Sequence, residues 1–306
     1  MIHSSAPATL MLMGEHAVLH GKHALVAAAS PRLHVYLQPR LDRIITIRSA
    51  LGNYTGSLDT LEITDPFRFI LSIIKQMNVQ QGMDLEIQSD FAATLGLGSS
   101  AAVMVATAAA ILECAPQDKS LFDICYASLL EVQGRGSGAD LMAAIVGGIV
   151  LYRREPVFFK PIWPNPSLTE LPFHLIYAGY KTPTPEVIQI VEAWRQQDPA
   201  RYAQLFEDID RCVAQAAQAL ETGDLPRFAQ AMQANQKLMQ ALGVSDTHLD
   251  QIVHDLEATP GILAAKISGS GLGDCVFAVG HRDNQNNIAG EVLDVRLSTQ
   301  GVQIHA

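Results

Sequence analysis

The chain has 306 residues, 48% of them hydrophobic, and a formal net charge of -10 at pH 7. This length and composition predict one large or two smaller globular domains and exclude an intrinsically disordered protein. The negative charge and the lack of any Lys/Arg run argue against nucleic acid or an anionic membrane as a partner. Four scattered cysteines without a CxxC pair, and a start without a signal-peptide pattern, predict a cytoplasmic protein with free thiols.

The first half of the chain mixes β-rich runs with helical patterns. A helix is predicted over residues 65–78, with Asp65 as N-cap and Pro66 in the first turn. A second helix follows a glycine–serine turn and ends near Glu113. Alternating or β-branched runs predict strands at residues 9–15, 33–39, 43–49, 84–90 and 145–155.

The second half is mainly helical before it returns to strands. Residues 163–170 carry two prolines and predict a linker between the halves. A glycine-rich segment between two strands spans residues 264–280, and weaker strand signals follow at 292–298 and 302–306. Helical patterns occupy residues 185–197, 200–222, 225–242 and 246–259. The pattern predicts an α+β protein with domains at residues 1–165 and 166–306.

Residues 95–102, Leu-Gly-Leu-Gly-Ser-Ser-Ala-Ala, place two glycines and two serines directly before an alanine-rich helix. The turn does not follow the first strand of a βαβ unit and lacks Gly-Lys-Ser/Thr, so neither a dinucleotide site nor a Walker A loop is expected. A helix start capped by Ser99 or Ser100 is the simplest alternative. Two glycines, however, let backbone N–H groups approach an anion, so we predict a phosphate site.

A second glycine-rich turn, Ser-Gly-Ser-Gly-Leu-Gly-Asp-Cys, spans residues 268–275. A hairpin between two strands would explain it if it stood alone. Two such turns, one in each half, instead favour a small molecule held between two domains, where ligand sites are common.

Three segments, residues 6–29, 95–102 and 266–275, resemble the three motifs of the GHMP kinases, which phosphorylate small metabolites with ATP. The first, with Gly-Glu-His-Ala-Val-Leu-His-Gly-Lys-His-Ala-Leu, is most similar to the mevalonate kinase branch. The resemblance implies a ribosomal-protein-S5-like N-terminal domain and a ferredoxin-like C-terminal domain. It also implies ATP as phosphoryl donor and Mg²⁺ as its counterion.

The same resemblance implies a set of binding residues. Ser100 would ligate Mg²⁺, and Glu15 and His16 would contact the substrate. Lys181 and Thr182 lie in a second candidate substrate loop, before a proline-started helix, although simple helix capping explains that loop equally well. The residues implied to hold ATP are Gly96, Leu97, Gly98, Ser99, Ser100, Ala101, Gly269 and Gly271.

Residues 134–148 resemble the segment that carries the catalytic aspartate of these kinases, which would be Asp140. A carboxylate there would orient the attacking hydroxyl and accept its proton. The alternative is structural, because Ser137 and Asp140 also have the spacing of a helix capping pair. We predict that Asp140 is the catalytic base.

Two departures from the family pattern stand out. The usual Ala-Pro-Gly-Lys start is Ala-Pro-Ala-Thr here, so Thr9 replaces a catalytic lysine; Lys181 and Lys22 are the candidate substitutes. The family's Mg²⁺-binding glutamate would fall at Leu129, and Glu131 is the nearest acid, so we assign the second metal ligand to Glu131.

The resulting expectation is a kinase that converts mevalonate to 5-phosphomevalonate in isoprenoid biosynthesis. Phosphomevalonate kinase or another GHMP small-molecule kinase is the alternative within the family. A nucleotide- or metabolite-binding protein that has lost catalysis is the alternative from another class, motivated by Thr9. The expected partner is a small molecule, with neither nucleic acid nor membrane, and a homodimer is left open.

Overall fold

The computed structural model describes residues 1–92, 94–162, 171–282 and 289–305, so the predicted linker at 163–170 lies outside the described residues. The strands are β1 Ile2–Met13, β2 His23–Pro39, β3 Ile44–Ser49, β4 Gly52–Ser57, β5 Met83–Ser89, β6 Ile149–Arg153, β7 Phe158–Ile162, β8 Phe173–Tyr177, β9 Ile262–Ser268, β10 Cys275–Gly280, β11 Glu291–Leu293 and β12 Gln303–His305. The α-helices are α1 Arg68–Gln76, α2 Ser99–Cys114, α3 Leu121–Gln133, α4 Ala139–Val146, α5 Thr184–Gln197, α6 Pro199–Thr222, α7 Leu225–Leu242 and α8 Thr247–Glu257. The predicted α+β class is confirmed.

The first sheet is built on the long antiparallel pair β1 and β2. Its strands run in the order β12-β1-β2-β5-β3-β4, and β6 and β7 extend it from β2. Strand β12 pairs with β1, so the last strand of the chain returns to the sheet of the first half. The domain boundary at 165/166 stays a prediction.

Helix α2 lies at the centre of the first half. Its alanine-rich sequence lets it pack closely on β1 and β2 while α1, α3 and α4 cover its other sides. The close approach is visible where the Ser4 hydroxyl donates to the Ala106 carbonyl at 2.6 Å. This packing sets the direction of α2, and therefore where its N-terminus points.

The second half packs α7 and α8 on a four-stranded sheet of order β11-β8-β10-β9. Helix α6 joins the two halves. Its Asp210 accepts hydrogen bonds from the backbone N–H of His23 at 2.7 Å and from His23 Nδ1 at 2.9 Å. Its Phe206 stacks on His20 with ring centroids 4.4 Å apart.

Some element boundaries differ from the predictions. The first helix begins at Arg68 rather than at Asp65, because the Phe67 N–H donates to the Thr64 carbonyl and closes a turn before the helix. The strand predicted from residue 145 begins at Ile149, since α4 continues to Val146. Strand β4 was not predicted, because its polar, glycine-bounded sequence lacks an apolar alternation.

None of the helices in the described part of the chain is both long enough and apolar enough to cross a membrane.

Candidate active site

A pocket lies where the two halves of the chain meet. Glu15, Ser100, Asp140, Lys181 and Gly269, which come from five separate segments, all line it. The segments are the turn after β1, the N-terminus of α2, the first turn of α4, the loop before α5 and the loop after β9. Residues that the sequence places far apart are therefore brought together here.

The start of α2 forms one wall of this pocket. The N-cap is Gly98, with a left-handed φ of 63° and no side-chain cap hydrogen bond, so the alternative in which Ser99 or Ser100 is the N-cap is not realised. Gly98 packs against Thr9: a Cβ at Gly98 would lie 1.8 Å from Thr9 Oγ1. Ser100 and Ala101 line the pocket, and the positive end of the helix dipole faces it.

The two glycine-rich turns meet at a residue that the sequence reasoning missed, Asp274. A Cβ on Gly96 would lie 2.6 Å from Asp274 Oδ1, and a Cβ on Gly269 would lie 2.9 Å from Asp274 Oδ2. Asp274 is buried and lines the pocket. The signal that could have identified it is an acidic residue closing a glycine-rich turn before a buried strand.

Not every predicted ATP-binding residue faces the pocket. Gly96, Ser100, Ala101 and Gly269 line it, whereas Leu97 is buried in the core and Gly271 packs on the Val244 backbone. Gly98 and Ser99 lie at the helix start behind the lining residues.

Asp140 lies in the first turn of α4 and faces the pocket. Its Oδ1 accepts a 2.9 Å hydrogen bond from the Thr9 hydroxyl. Ser137 Oγ accepts from the Ala139 N–H at 3.2 Å, and no side-chain cap bond reaches Gly138, the N-cap, so Ser137 and Asp140 do not form a capping pair. Burial raises the pKa of Asp140, while the Thr9 hydrogen bond and the nearby Lys181 charge oppose that rise.

Lys181 brings a positive charge to the same pocket. Its Nζ lies 3.1 Å from Asp274 Oδ1. Burial raises the pKa of Asp274 and the Lys181 charge opposes that rise, as it does at Asp140. Lys22, the other candidate cation, is paired with Glu207 of α6 and does not line the pocket. The geometry therefore selects Lys181 as the cation beside Asp140.

Two further residues belong to the loops around the pocket, Thr182 and Arg135. Thr182, a predicted substrate contact, does not line the pocket; its hydroxyl donates to the Leu272 carbonyl at 2.6 Å and ties the two loops together. Arg135, in the loop before α4, adds a second cation to the pocket wall. It lies within residues 134–148, but the sequence pattern predicted no role for it.

Glu15 forms a buried ion pair across the two halves. Lys266 Nζ donates to Glu15 Oε1 at 2.6 Å, and both side chains are at most 2% exposed. Burial raises the pKa of Glu15 and lowers the pKa of Lys266, and each charge opposes the other's shift. The pair fixes the turn after β1 against β9.

His16 makes a second contact between these segments. Its Nε2 lies 2.8 Å from the Ser270 carbonyl, which can only accept, so Nε2 carries the proton. Burial lowers the pKa of His16 to about 4. The ring is therefore neutral at pH 7 and leaves Nδ1 as an acceptor.

Replacing Lys266 with Met is expected to lower the free energy of unfolding by about 3–5 kcal/mol, because Glu15 would keep a buried charge without its partner. Denaturant unfolding measures the change. Lys75→Met is the matched control: its pair with Glu131 is exposed, so its loss costs about 1 kcal/mol or less. The double variant Glu15→Gln with Lys266→Met should recover most of the loss; no recovery would refute the pairing argument.

The structure does not bring Glu131 to the pocket. Its carboxylate faces α1, where it accepts hydrogen bonds from Ser72 at 2.8 Å, Lys75 at 2.7 Å and Gln76 at 3.0 Å. From the same helix, Leu129 lines the pocket instead. The assignment of Glu131 as a metal ligand therefore has no geometric support.

Comparison with known proteins agrees with this geometry. Residues 66–148 match the family model of the GHMP kinases N terminal domain, and residues 216–295 match that of GHMP kinases C terminal. The chain is 31% identical to the mevalonate kinase of Archaeoglobus fulgidus over 283 residues, 90% of this chain and 91% of that protein.

Solved structures share the fold. The L. major mevalonate kinase in complex with R-mevalonate is 26% identical, with a TM-score of 0.70 over 92% of this chain and 87% of that one. The Streptococcus pneumoniae phosphomevalonate kinase with phosphomevalonate and AMPPNP is 20% identical, with a TM-score of 0.78 over 93% of each chain. The matched models, the relative and the shared fold place this chain in the GHMP kinase family.

Proposed function

We propose that this protein transfers the γ-phosphoryl group of ATP to the primary hydroxyl of mevalonate. The observation that carries the proposal is the convergence of Asp140, Lys181 and both glycine-rich turns on one pocket. The relative from Archaeoglobus fulgidus is named mevalonate kinase and matches this chain over 90% of its length, which supports the choice of acceptor.

ATP would place its phosphates at the start of α2. Gly96, Ser100 and Ala101 line the pocket there, and an uncapped helix N-terminus favours an anion through its backbone N–H groups and its dipole. Gly269 approaches from the second half, where a side chain would collide with Asp274. In this arrangement the γ-phosphate would face Asp140, which lines the same pocket.

Asp140 would accept the proton of the attacking hydroxyl. The Thr9 hydroxyl holds one carboxylate oxygen at 2.9 Å, and the other oxygen is left for the acceptor. Lys181 supplies positive charge where the transferring phosphoryl group gathers negative charge, which is the role that the missing lysine at position 9 would have had. In this account Thr9 positions the base and Lys181 provides the cation.

The pocket residues fit a magnesium ion carried in with ATP. Mg²⁺ prefers oxygen ligands and shares them with phosphates, and the Ser100 hydroxyl provides such an oxygen in the pocket. Bound there, the ion would neutralise charge on the β- and γ-phosphates. Glu131 has no part in this site, because its carboxylate is held by α1.

The acceptor has a carboxylate at one end and a primary alcohol at the other. Arg135 is the pocket cation on the side of the α4 loop, so it would pair with the carboxylate while the alcohol faces Asp140. His16 Nδ1, an acceptor at neutral pH, would receive a hydrogen bond from the tertiary hydroxyl. Arg135 and Asp140 would then select for a carboxylate and an alcohol on the same molecule.

Product identification tests this proposal. With Mg²⁺-ATP, mevalonate should give ADP and a phosphate monoester that ³¹P NMR and mass spectrometry identify as 5-phosphomevalonate. 3-Hydroxy-3-methylpentanoate, which has the carboxylate and the tertiary hydroxyl but no primary alcohol, is the matched control and should give no ester. Phosphorylation of that control would show transfer to the tertiary hydroxyl and would refute the proposed orientation.

The pH dependence of turnover should report Asp140. Below its pKa the carboxyl of Asp140 is protonated and accepts no proton, so kcat/KM should rise with pH through that pKa. Burial places this pKa above the ordinary aspartate value of about 3.9. Removing the Lys181 charge should move this limb to higher pH. A pH–rate profile of both proteins checks the direction; an unmoved or down-shifted limb in the Lys181 variant would contradict the assignment.

A further inference from the structure

Three histidines meet on the first sheet, apart from the pocket. His3 lies on β1, His34 on β2 and His305 on β12, three adjacent strands. His3 is directly opposite His305, and His34 is opposite Ser5 on the same strand as His3. None of the three histidines lines the pocket described above.

The ring nitrogens of these histidines have the spacing of metal ligands. One ligand atom from each residue lies within 4.8 Å of the others. His3 Nε2 and His34 Nδ1 are 3.0 Å apart, so a single proton joins them. Two nitrogen ligands on one tetrahedral zinc ion, at about 2.0–2.1 Å from it, lie about 3.3 Å apart. Replacing that proton with an ion would require only a small increase in the distance between these two nitrogens.

Aromatic rings pack around the three histidines. The His3 ring stacks on Tyr36 at 4.2 Å and on His305 at 4.0 Å, so the His305 ring would turn out of this stack to direct a nitrogen at an ion shared with His3. All three histidines are partly buried.

Asp90 places a carboxylate on the outer side of the His34 ring, just beyond hydrogen-bond distance. Its Oδ2 lies 3.8 Å from His34 Nε2, on the side of the ring away from His3. A carboxylate there favours a proton on Nε2 and leaves Nδ1 as the ligand. Ser5 Oγ, 2.7 Å from His305 Nε2 and held by Arg32 at 2.8 Å, is a polar partner of the third ring.

We propose that His3, His34 and His305 bind one divalent transition-metal ion of the zinc type, with water in the fourth position. Neutral imidazoles are ligands that Zn²⁺, Ni²⁺ and Cu²⁺ accept. Because the ligands come from β1, β2 and β12, the ion would cross-link the last strand of the chain to the first sheet. Binding would stabilise the fold without entering the kinase pocket.

Zinc titration of the untagged, EDTA-treated protein tests the site. Calorimetry should show one Zn²⁺ per chain, and Zn²⁺ should raise Tm. His34→Gln and His305→Gln should each weaken binding at least tenfold and abolish the Tm rise, while Asp90→Asn should weaken it by about tenfold. His254→Gln, which removes an exposed histidine on α8, is the matched control and should bind like the parent protein.

Cobalt spectroscopy separates this site from the cysteines, of which Cys114 is exposed. Bound Co²⁺ should show the visible bands of nitrogen and oxygen ligation without a thiolate charge-transfer band. Absence of binding at micromolar zinc, a thiolate band, or unchanged binding in His34→Gln would each overturn the proposal. Thermal unfolding of the metal-free variants checks their fold, and His305→Gln decides the question if His34→Gln does not fold.

Discussion

Replacing Asp140 with Asn should lower kcat by about 10²–10⁴-fold and leave the KM for ATP nearly unchanged. The amide keeps the size of the side chain and an oxygen for the Thr9 hydrogen bond, but it accepts no proton from the substrate hydroxyl. The start of α2, which would hold the phosphates, is untouched by the change. Steady-state kinetics, with ATP and then the acceptor varied, give both constants.

Glu131→Gln is the matched control for this experiment. It makes the same change of carboxylate to amide, on α3, at a residue whose contacts are with α1 rather than with the pocket. Its turnover should remain close to that of the parent protein. Near-normal turnover of the Asp140 variant would return that residue to a structural role, and an equal loss in the Glu131 variant would revive Glu131 as a metal ligand.

Replacing Lys181 with Met should lower kcat by about 10²–10³-fold, the effect of removing one group that stabilises transition-state charge. Lys181 lies 3.1 Å from Asp274 and influences the charge state of Asp140, so its charge acts on the proposed reaction centre. Lys181→Arg should retain part of the activity because it keeps the charge but not the geometry. Single-turnover measurement of the chemical step is the direct readout.

Lys22→Met provides the control for Lys181. It removes the other candidate cation, whose partner is Glu207 on α6 and which does not line the pocket. Losing this surface pair should change the stability of the protein little. Because Lys22 is also outside the pocket, we expect turnover within about twofold of the parent protein. A large loss in this variant together with normal turnover of Lys181→Met would assign the catalytic charge to Lys22.

The sequence was most informative where a function depends on a local pattern. The start of α2 and the turn that contains Gly269 were predicted because glycine spacing and the onset of a helix are visible within a few residues, although the N-cap itself is Gly98 rather than a serine. The helices of the second half were predicted within a few residues at each end because they carry apolar stripes and caps, such as Asp246 before α8.

The sequence was least informative where a contact joins distant segments. Asp274 meets Gly96 across the two halves, and Lys266 meets Glu15 over a separation of 251 residues. No local pattern reports such pairs, because the fold alone decides which side chains meet. Glu131 shows the converse: it was chosen by its distance along the chain from Asp140, but the direction of α3 turns its carboxylate toward α1.

The substitution at position 9 also needed the structure to be understood. From sequence alone, a threonine in place of a catalytic lysine left two interpretations open: Lys181 or Lys22 supplies the charge instead, or catalysis has been lost. In the structure Thr9 is buried, packs on Gly98 and donates to Asp140. A positive charge still reaches the same carboxylates, from Lys181 on another loop. The arrangement favours an active kinase in which the charge comes from a different segment.

ADP release with Mg²⁺-ATP, measured side by side for mevalonate and phosphomevalonate, tests the central claim most directly. We expect turnover with mevalonate and a kcat/KM at least 100-fold higher than with phosphomevalonate. Preference for phosphomevalonate would contradict the proposed acceptor and place the protein one phosphorylation later. Activity with neither acceptor, although ATP stabilises the protein against thermal unfolding, would contradict the kinase assignment and favour a protein that binds the nucleotide without catalysis.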